Sequence, residues 1–465
     1  MMKKIQTYLM LPLAVGLAVS CSQSEDLTVP AQEVYETPPV RILPSAGGQD
    51  FDVSIETRST GPFERWSLDQ AHWQAADFYT FALQTRNTIG GVEAGELNFR
   101  TSDVMWNQLM RIQDAQGNVR FYDNDAPTQE VFRYYSNWRA RRYKFFTYHA
   151  DDAVLSLNPS TDKITASLTI NGHQDIMHGF AYHTDNELQA LIDNMPDGEN
   201  KTNFTTTPES RGGREYLYSG MSGNRGIHPR FHLHHLLSRF DVQVQGMKGA
   251  NEKYSFLQVL VDSVVIKAPA RGTLTIADDQ WTDSITYNQA VEAQNILTWG
   301  TDSTDYQLEL IPHTTLTDGG CLPGVDYSIL QDSLQDLGII TSGMVYHQIC
   351  DTLPTPLCQA ALLPAAEEGV SIHVYYRYIF AHWDGATRTW TVDAKSTNAA
   401  TNQWQNSTRL MPRDTSGQPV RFKAGGQYTV LIKIYGPEEI TATVAGLDEE
   451  QWTDENSDNP FDIHD

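Results

Sequence analysis

Basic residues are scarce in this chain. Thirty-three Lys and Arg stand against 58 Asp and Glu, a formal charge of −25 at pH 7. Nucleic-acid binding needs a basic footprint that neutralises phosphates, so this balance argues against a nucleic-acid partner and suits a solvated, surface-exposed body. Long apolar runs are also missing. Beyond the first twenty residues nothing approaches the roughly 20 apolar residues of a membrane-spanning helix. The motifs of catalysis are absent too: no Gly-x-Ser-x-Gly elbow, no phosphate loop ending in Lys-Ser or Lys-Thr, no His-Glu-x-x-His. Gly220-Met221-Ser222-Gly223 stops short of the elbow, and Asp123-Asn124-Asp125 lacks the glycine and distal glutamate of a calcium loop. The carboxylate pairs Glu367-Glu368 and Asp278-Asp279 are expected among 58 acidic residues without catalysis. These absences predict a protein that is not an enzyme and carries no cofactor.

Cysteine is limited to four positions, Cys21, Cys321, Cys350 and Cys358. Cys350 and Cys358 are close enough to suggest a disulfide in an exported protein. Three free thiols, or Cys321 pairing with either, are the alternatives, since spacing does not fix connectivity. Metal ligands are thin as well. His228, His232, His234 and His235 cluster, and His232 and His234 would share one strand face. A zinc site needs three or four ligands, and no acidic or cysteine partner stands at a useful spacing. The reading is therefore one core histidine with the others facing solvent, and no metal.

What the chain does have begins at its N-terminus. Lys3 and Lys4 precede a mostly apolar stretch, Ile5 to Val19, interrupted by Pro12. That pattern predicts a signal peptide over residues 1–20. Leu17-Ala18-Val19-Ser20-Cys21 resembles a bacterial lipobox, which implies that Cys21 becomes the acylated first residue. More than one acyl chain on a residue gives stable membrane anchoring. The acidic stretch after it, Ser22 to Asp26, resembles the surface-export signal of Bacteroidetes lipoproteins. Residues 21–48, rich in Pro, Ser, Gln and Glu, read as a flexible tether.

From Phe51 onward the dominant period is two, the mark of strands with one buried face. Phe51, Val53 and Ile55 alternate with polar residues, as do Ile164 to Ile170 and Phe240 to Val244. Val370 to Phe380 and Tyr428 to Ile434 repeat the pattern. Turn residues such as Asn171-Gly172, Asp384-Gly385 and Gly436-Pro437 separate the runs. Helical spacing is limited to Asn186–Asp193 and Ser328–Leu337. Residues 194–227 read as a long loop. The small, polar stretch Gly246 to Asn251 marks a boundary. The prediction is all-β, with β-sandwich domains over 49–247 and 248–465.

Several segments, in order, resemble the Bacteroidetes fimbrillin family of type V pilus subunits. They are Ser136-Asn137-Trp138 through Tyr148, Gln174 to Ala181, Phe231 to Val242, Phe422-Lys423-Ala424-Gly425-Gly426-Gln427-Tyr428, and Trp452 near the end. The resemblance implies two tandem sandwiches of transthyretin-like topology in a lipoprotein precursor at the outer membrane and cell surface. It also implies a fimbrial role in adhesion or assembly, with other pilin subunits as partners. In such pili a subunit accepts a strand donated by its neighbour. Arginine-specific trimming of the N-terminal strand opens the acceptor groove, and the candidates here are Arg41 and Arg58. The alternative is a surface glycan-binding lipoprotein. Exposed tryptophans stack on sugar rings, and Trp383, Trp390 and Trp404 lie near one hairpin loop, although core packing is the more common fate of aromatics in sandwiches.

Overall fold

The computed structural model describes residues 39–47, 76–84, 104–113, 117–136, 141–150, 154–160, 162–183, 218–224, 226–246, 256–278, 296–313, 324–349, 353–364, 369–397, 403–412, 418–434 and 440–446, with single positions at 102, 190, 193, 315 and 316. In chain order the strands are β1 (Ser45–Gly47), β2 (Phe78–Gln84), β3 (Met105–Ile112), β4 (Val119–Tyr122), β5 (Glu130–Val131), β6 (Tyr143–Ala150), β7 (Val154–Pro159), β8 (Lys163–Thr169), β9 (Ile176–Ala181) and β10 (Arg230–His235). They continue with β11 (Leu237–Gly246), β12 (Phe256–Pro269), β13 (Arg271–Asp278), β14 (Leu297–Trp299), β15 (Ser303–Leu308), β16 (His347–Gln348), β17 (Thr355–Pro356), β18 (Ala361–Pro364), β19 (Val370–Asp384), β20 (Thr389–Val392), β21 (Gln403–Leu410), β22 (Gln427–Ile434) and β23 (Ile440–Gly446). The all-β expectation holds. The alternating runs that predicted strands at 164–170, 240–244, 370–380 and 428–434 fall within or across β8, β11, β19 and β22. The run at Phe51–Ile55 and the helix at Asn186–Asp193, apart from residues 190 and 193, lie outside the described residues.

Four sheets hold these strands. The largest has eight, in the order β1-β10-β9-β6-β2-β3-β4-β5. A second runs β17-β11-β22-β23 with β18 also on β11, and a third runs β15-β12-β19-β20 with β16 and β21 as branches. The fourth is β14-β13-β8-β7. Because successive side chains alternate faces, the large sheet feeds two cores. Tyr143 and Phe145 of β6 join Phe231 and Leu233 of β10 on one face. Phe146 and Tyr148 join the main core on the other, with Leu168 of β8, Ile276 of β13, Val242 of β11 and Ile266 of β12.

A third cluster forms under the helix Tyr327–Asp336, close to the span predicted from Ser328 to Leu337. Asp326 caps it by accepting from the Ser328 amide at 2.9 Å, satisfying one orphan donor of the first turn. Tyr327, Leu330 and Leu334 share the buried stripe and cover Leu260, Ile379 and Trp390. A β-bulge in β12 between Val261 and Ser263 turns the Asp262 carboxylate to Arg377, whose Nε donates to it at 2.8 Å. Arg377 also donates to the Ile339 carbonyl just past the helix, tying helix to sheet. Burial raises the Asp262 carboxyl, opposed by the Arg377 charge.

The division expected at residue 247 does not separate these sheets. β11, before it, pairs in parallel with β22, from Arg239↔Gln427 to Gly246↔Ile434. β13, after it, pairs antiparallel with β8, from Arg271↔Thr169 to Asp278↔Lys163. Local composition marked a small, polar stretch at 246–251, but partners roughly 100 to 190 residues distant decide where strands go. The loop expected at 194–227 also needs correction. Tyr218 is fully buried and bridges Tyr143, and Gly220–Asn224 forms a short helix.

Phe240 of β11 tests this coupling. Its ring lies edge-on to Phe422 with centroids 4.8 Å apart and 6.0 Å from Tyr428. Phe240→Ala is expected to cost about 3–5 kcal/mol. In urea, the main-core unit should lose that stability in a single transition carrying the strands on both sides of residue 247. Two transitions, only one of them displaced, would show that the halves fold independently.

Candidate functional site

The segment Val40 to Gly47 closes the eight-stranded sheet on itself. Its sequence, Val40-Arg41-Ile42-Leu43-Pro44-Ser45-Ala46, sends Ile42, Pro44 and Ala46 inward and Arg41 and Leu43 outward. Ile42 and Ala46 are 2% and 4% exposed, whereas Leu43 is 48% exposed. On one side, β1 pairs in parallel with β10 at Ser45↔Arg230, Ala46↔Phe231 and Gly47↔His232. On the other, Arg41 bridges Tyr134 and Ser45 bridges Asn118. One short run of chain therefore joins the β10 end of the sheet to the β4–β5 end.

Its backbone partners change along the way. The Ile42 amide donates to the Arg133 carbonyl at 2.8 Å, and the Tyr135 amide donates to the Val40 carbonyl at 3.0 Å. Ser45 then donates to Pro229 at 3.0 Å and Ala46 to Gly117 at 2.8 Å. Pro44 stands between the two sets, where its missing N–H leaves no buried donor unpaired. Outside, the Arg41 guanidinium lies 3.8 Å above the Phe132 ring and 3.5 Å from Glu130, which also holds Arg120 at 2.9 Å. Exposed contacts of this kind contribute about 0–1 kcal/mol each. The segment is thus held mainly by its backbone bonds and by three inward side chains. The sequence reading placed residues 39–47 in a flexible tether, because proline and polar residues dominate the stretch. The structure corrects that: the segment packs into the core through Ile42, Pro44 and Ala46, and its last three residues form β1.

The remaining residues singled out from the sequence do not converge. Cys21, Arg58, Cys321 and Cys350 lie outside the described residues. Cys358 is a buried free thiol whose pKa burial raises well above the usual range. Trp390 is 7% exposed and packs on Tyr327, with its indole N–H donating to the Asp326 carbonyl at 3.4 Å. A ring covered in this way offers no face to a sugar. Trp383 tilts against it at 5.2 Å and is half-buried. Trp404 belongs to β21, with its side chain outside the described residues.

The histidines differ from expectation. His232 and His235 are both buried, and His228 and His234 are half-buried. His235 has an acidic partner after all: its Nδ1 lies 2.6 Å from a carboxylate oxygen of Asp175, itself fully buried. Sixty residues of sequence hid that pair. His178 stands opposite His234 across β9 and β10, and its Nε2 donates to the Ile276 carbonyl of β13 at 2.9 Å. His232 stacks on Tyr182 at 3.9 Å. Among the described residues no group of three His, Cys, Asp or Glu is placed to hold a metal ion.

No family model matches the chain, and no curated protein does. Solved structures do. A candidate cell adhesion protein from Bacteroides uniformis is 13% identical over 88% of this chain and 98% of its own, at a TM-score of 0.33. The fimbrial anchor protein Mfa2 from Porphyromonas gingivalis is 10% identical over 88% and 96%, at 0.29. The tip fimbrial protein Mfa3 from the same organism is 8% identical over 89% and 100%, also at 0.29.

Acid should loosen this body through its buried histidines. Desolvation pushes His178 down to about 4, against the Ile276 bond that raises it. His234 falls to about 3, mainly through burial and further through the neighbouring His232, His178 and His235. Both are neutral when folded and return to about 6.5 when the chain unfolds. Their contribution is therefore intact above pH 6.5 and is lost as pH falls toward 4. At pH 5 His178 alone would remove about 2 kcal/mol relative to pH 7.5. Urea midpoints at the two values would measure this, and an unchanged pH slope in His178→Gln would place the acid loss elsewhere.

Proposed function

We propose that this chain is a fimbrillin-type subunit of a cell-surface pilus, anchored to the outer membrane through a lipid on Cys21 and joined to other subunits by strand complementation. The reading rests on one observation, the closure of the large sheet by Val40–Gly47. A sheet left open there would present unpaired backbone groups beside an apolar cleft, and an incoming strand would satisfy both. The chemistry is thus strand exchange rather than bond making, and adhesion or pilus assembly is its outcome. The glycan-binding alternative has lost its buried Trp390.

The order of residues along the chain separates the two processing arginines. A cut after Arg41 leaves Ile42, Pro44 and Ala46 attached to the body. A cut after Arg58 leaves the whole segment held by noncovalent contacts alone, and detaches it together with Cys21 and its lipid. Arg58 is therefore the position whose cleavage empties the cleft.

Two measurements test the proposal. Chain lacking residues 1–20 would be treated with a trypsin-like protease, then followed by N-terminal sequencing and size analysis. The expected result is a new terminus at Ser59 and growth into a ladder of oligomers. A cut chain that has shed Val40–Gly47 and still stays monomeric as its concentration is raised would overturn strand complementation. Separately, Cys21→Ser in the full precursor should move the protein from the membrane fraction to the soluble fraction, and continued membrane retention would reject the lipid anchor.

A further inference from the structure

We infer that the seam selects its strand by register, admitting only an extended segment with apolar residues at alternate positions and a small residue at the place of Ala46. This rests on the strand-complementation reading and names what the cleft accepts.

The body carries a glycine at each end of the segment, and each is shaped by it. Gly117 has φ +75, and a Cβ built on it would lie 1.9 Å from the Ala46 carbonyl oxygen. No flexible side chain is involved, so the contact cannot be relieved by a rotamer change. At the other end, a Cβ on Gly223 would stand 2.9 Å from Val40 Cγ1 and 3.1 Å from Tyr135 Cε2. Between them the inward positions are 42, 44 and 46, in step with the period of a strand. Ala46 lies in the same buried cluster as Ile42, Phe121, Phe231 and Leu233 and is 4% exposed, so a longer side chain there has no free volume. The two backbone anchors fix the register: Ala46 to Gly117 at one end and Ile42 to Arg133 at the other. A slip of one residue would send Arg41 and Leu43 inward and Ile42 out.

The occupant is therefore an extended segment of a polypeptide reading Val-x-Ile-x-Pro-x-Ala or its close equivalents, with any residue at the outward positions. Ala46→Leu in the full chain should expel the chain's own segment while leaving the cleft walls unchanged. The readout is the rate of trypsin-like cutting after Arg41, expected to rise about tenfold or more. Leu43→Ser, at an outward position, should leave that rate as it is. Gly117→Ala provides a second route to expulsion from the body side, with the same acceleration. Labelled peptides copying residues 40–48, with Ala or Leu at the seventh position, that of Ala46, would then be offered to the Ala46→Leu chain. Binding of the Ala peptide at least about tenfold tighter than the Leu peptide is expected. Equal binding of the two peptides, or unchanged cutting in both Ala46→Leu and Gly117→Ala, overturns the register inference alone. Faster cutting with no binding of either peptide keeps the register inside the chain and overturns complementation between chains.

Discussion

Everything in the N-terminal part of this fold depends on closing a sheet. Backbone N–H and C=O groups at an open edge must find partners or water, and so must those at the two ends of the eight-stranded sheet. Here the two ends meet across a few residues. β10 offers one row of backbone groups, and Gly117, Asn118 and Arg133–Tyr135 offer the other. Val40–Gly47 satisfies both rows and fills the cleft with Ile42, Pro44 and Ala46. Without it the buried cluster that holds Tyr143, Phe145 and Phe231 would lose Ile42 and Ala46 from its lining.

The rest of the body is held differently. β11 is bonded along its length to β22, and β22 to β23, so strands on either side of the chain's midpoint share one sheet. β8 and β13 form another such tie. Their inward residues meet in the main core, which also takes the second face of the large sheet. Removing a strand from this region would break long ladders and deep packing together. The N-terminal segment is held by a few backbone bonds, some of them to loops, and by three inward side chains. The contrast is one of local stability: an element with few buried contacts opens at lower free energy than the core it rests on.

Much of this was legible in the sequence because period two is a local property. β8, β11, β19 and β22 announce themselves by alternation, and the helix at Tyr327 by its helical spacing. The closing segment did not, although it alternates too. Pro38, Pro39 and Pro44 and the polar residues before it have the composition of a tether, which outweighs a pattern of only three inward positions. Tyr218 was lost in a stretch rich in Gly, Asn and Thr for the same reason. Asp175 and His235 share a buried bond that no spacing rule could join, since it depends on how β9 and β10 lie together. Trp390 takes the common fate of aromatics in sandwiches: although it stands near a hairpin loop in sequence, the helix beginning at Tyr327 covers it.

These failures have a common physical origin, and it bears on the site. Sequence patterns report which face of an element is buried, not which element covers it. A site made of catalytic side chains leaves a mark in residue types, whereas a site made of backbone edges leaves almost none. Gly117 and Gly223 are ordinary glycines in sequence and become specific only when Ala46 and Val40 lie against them. A cleft of this kind can be recognised by what the chain itself has placed in it. The proline at the centre of that segment then acquires a role: it lets a strand change partners from one sheet end to the other without stranding a donor, which is the condition for a single short segment to close the sheet.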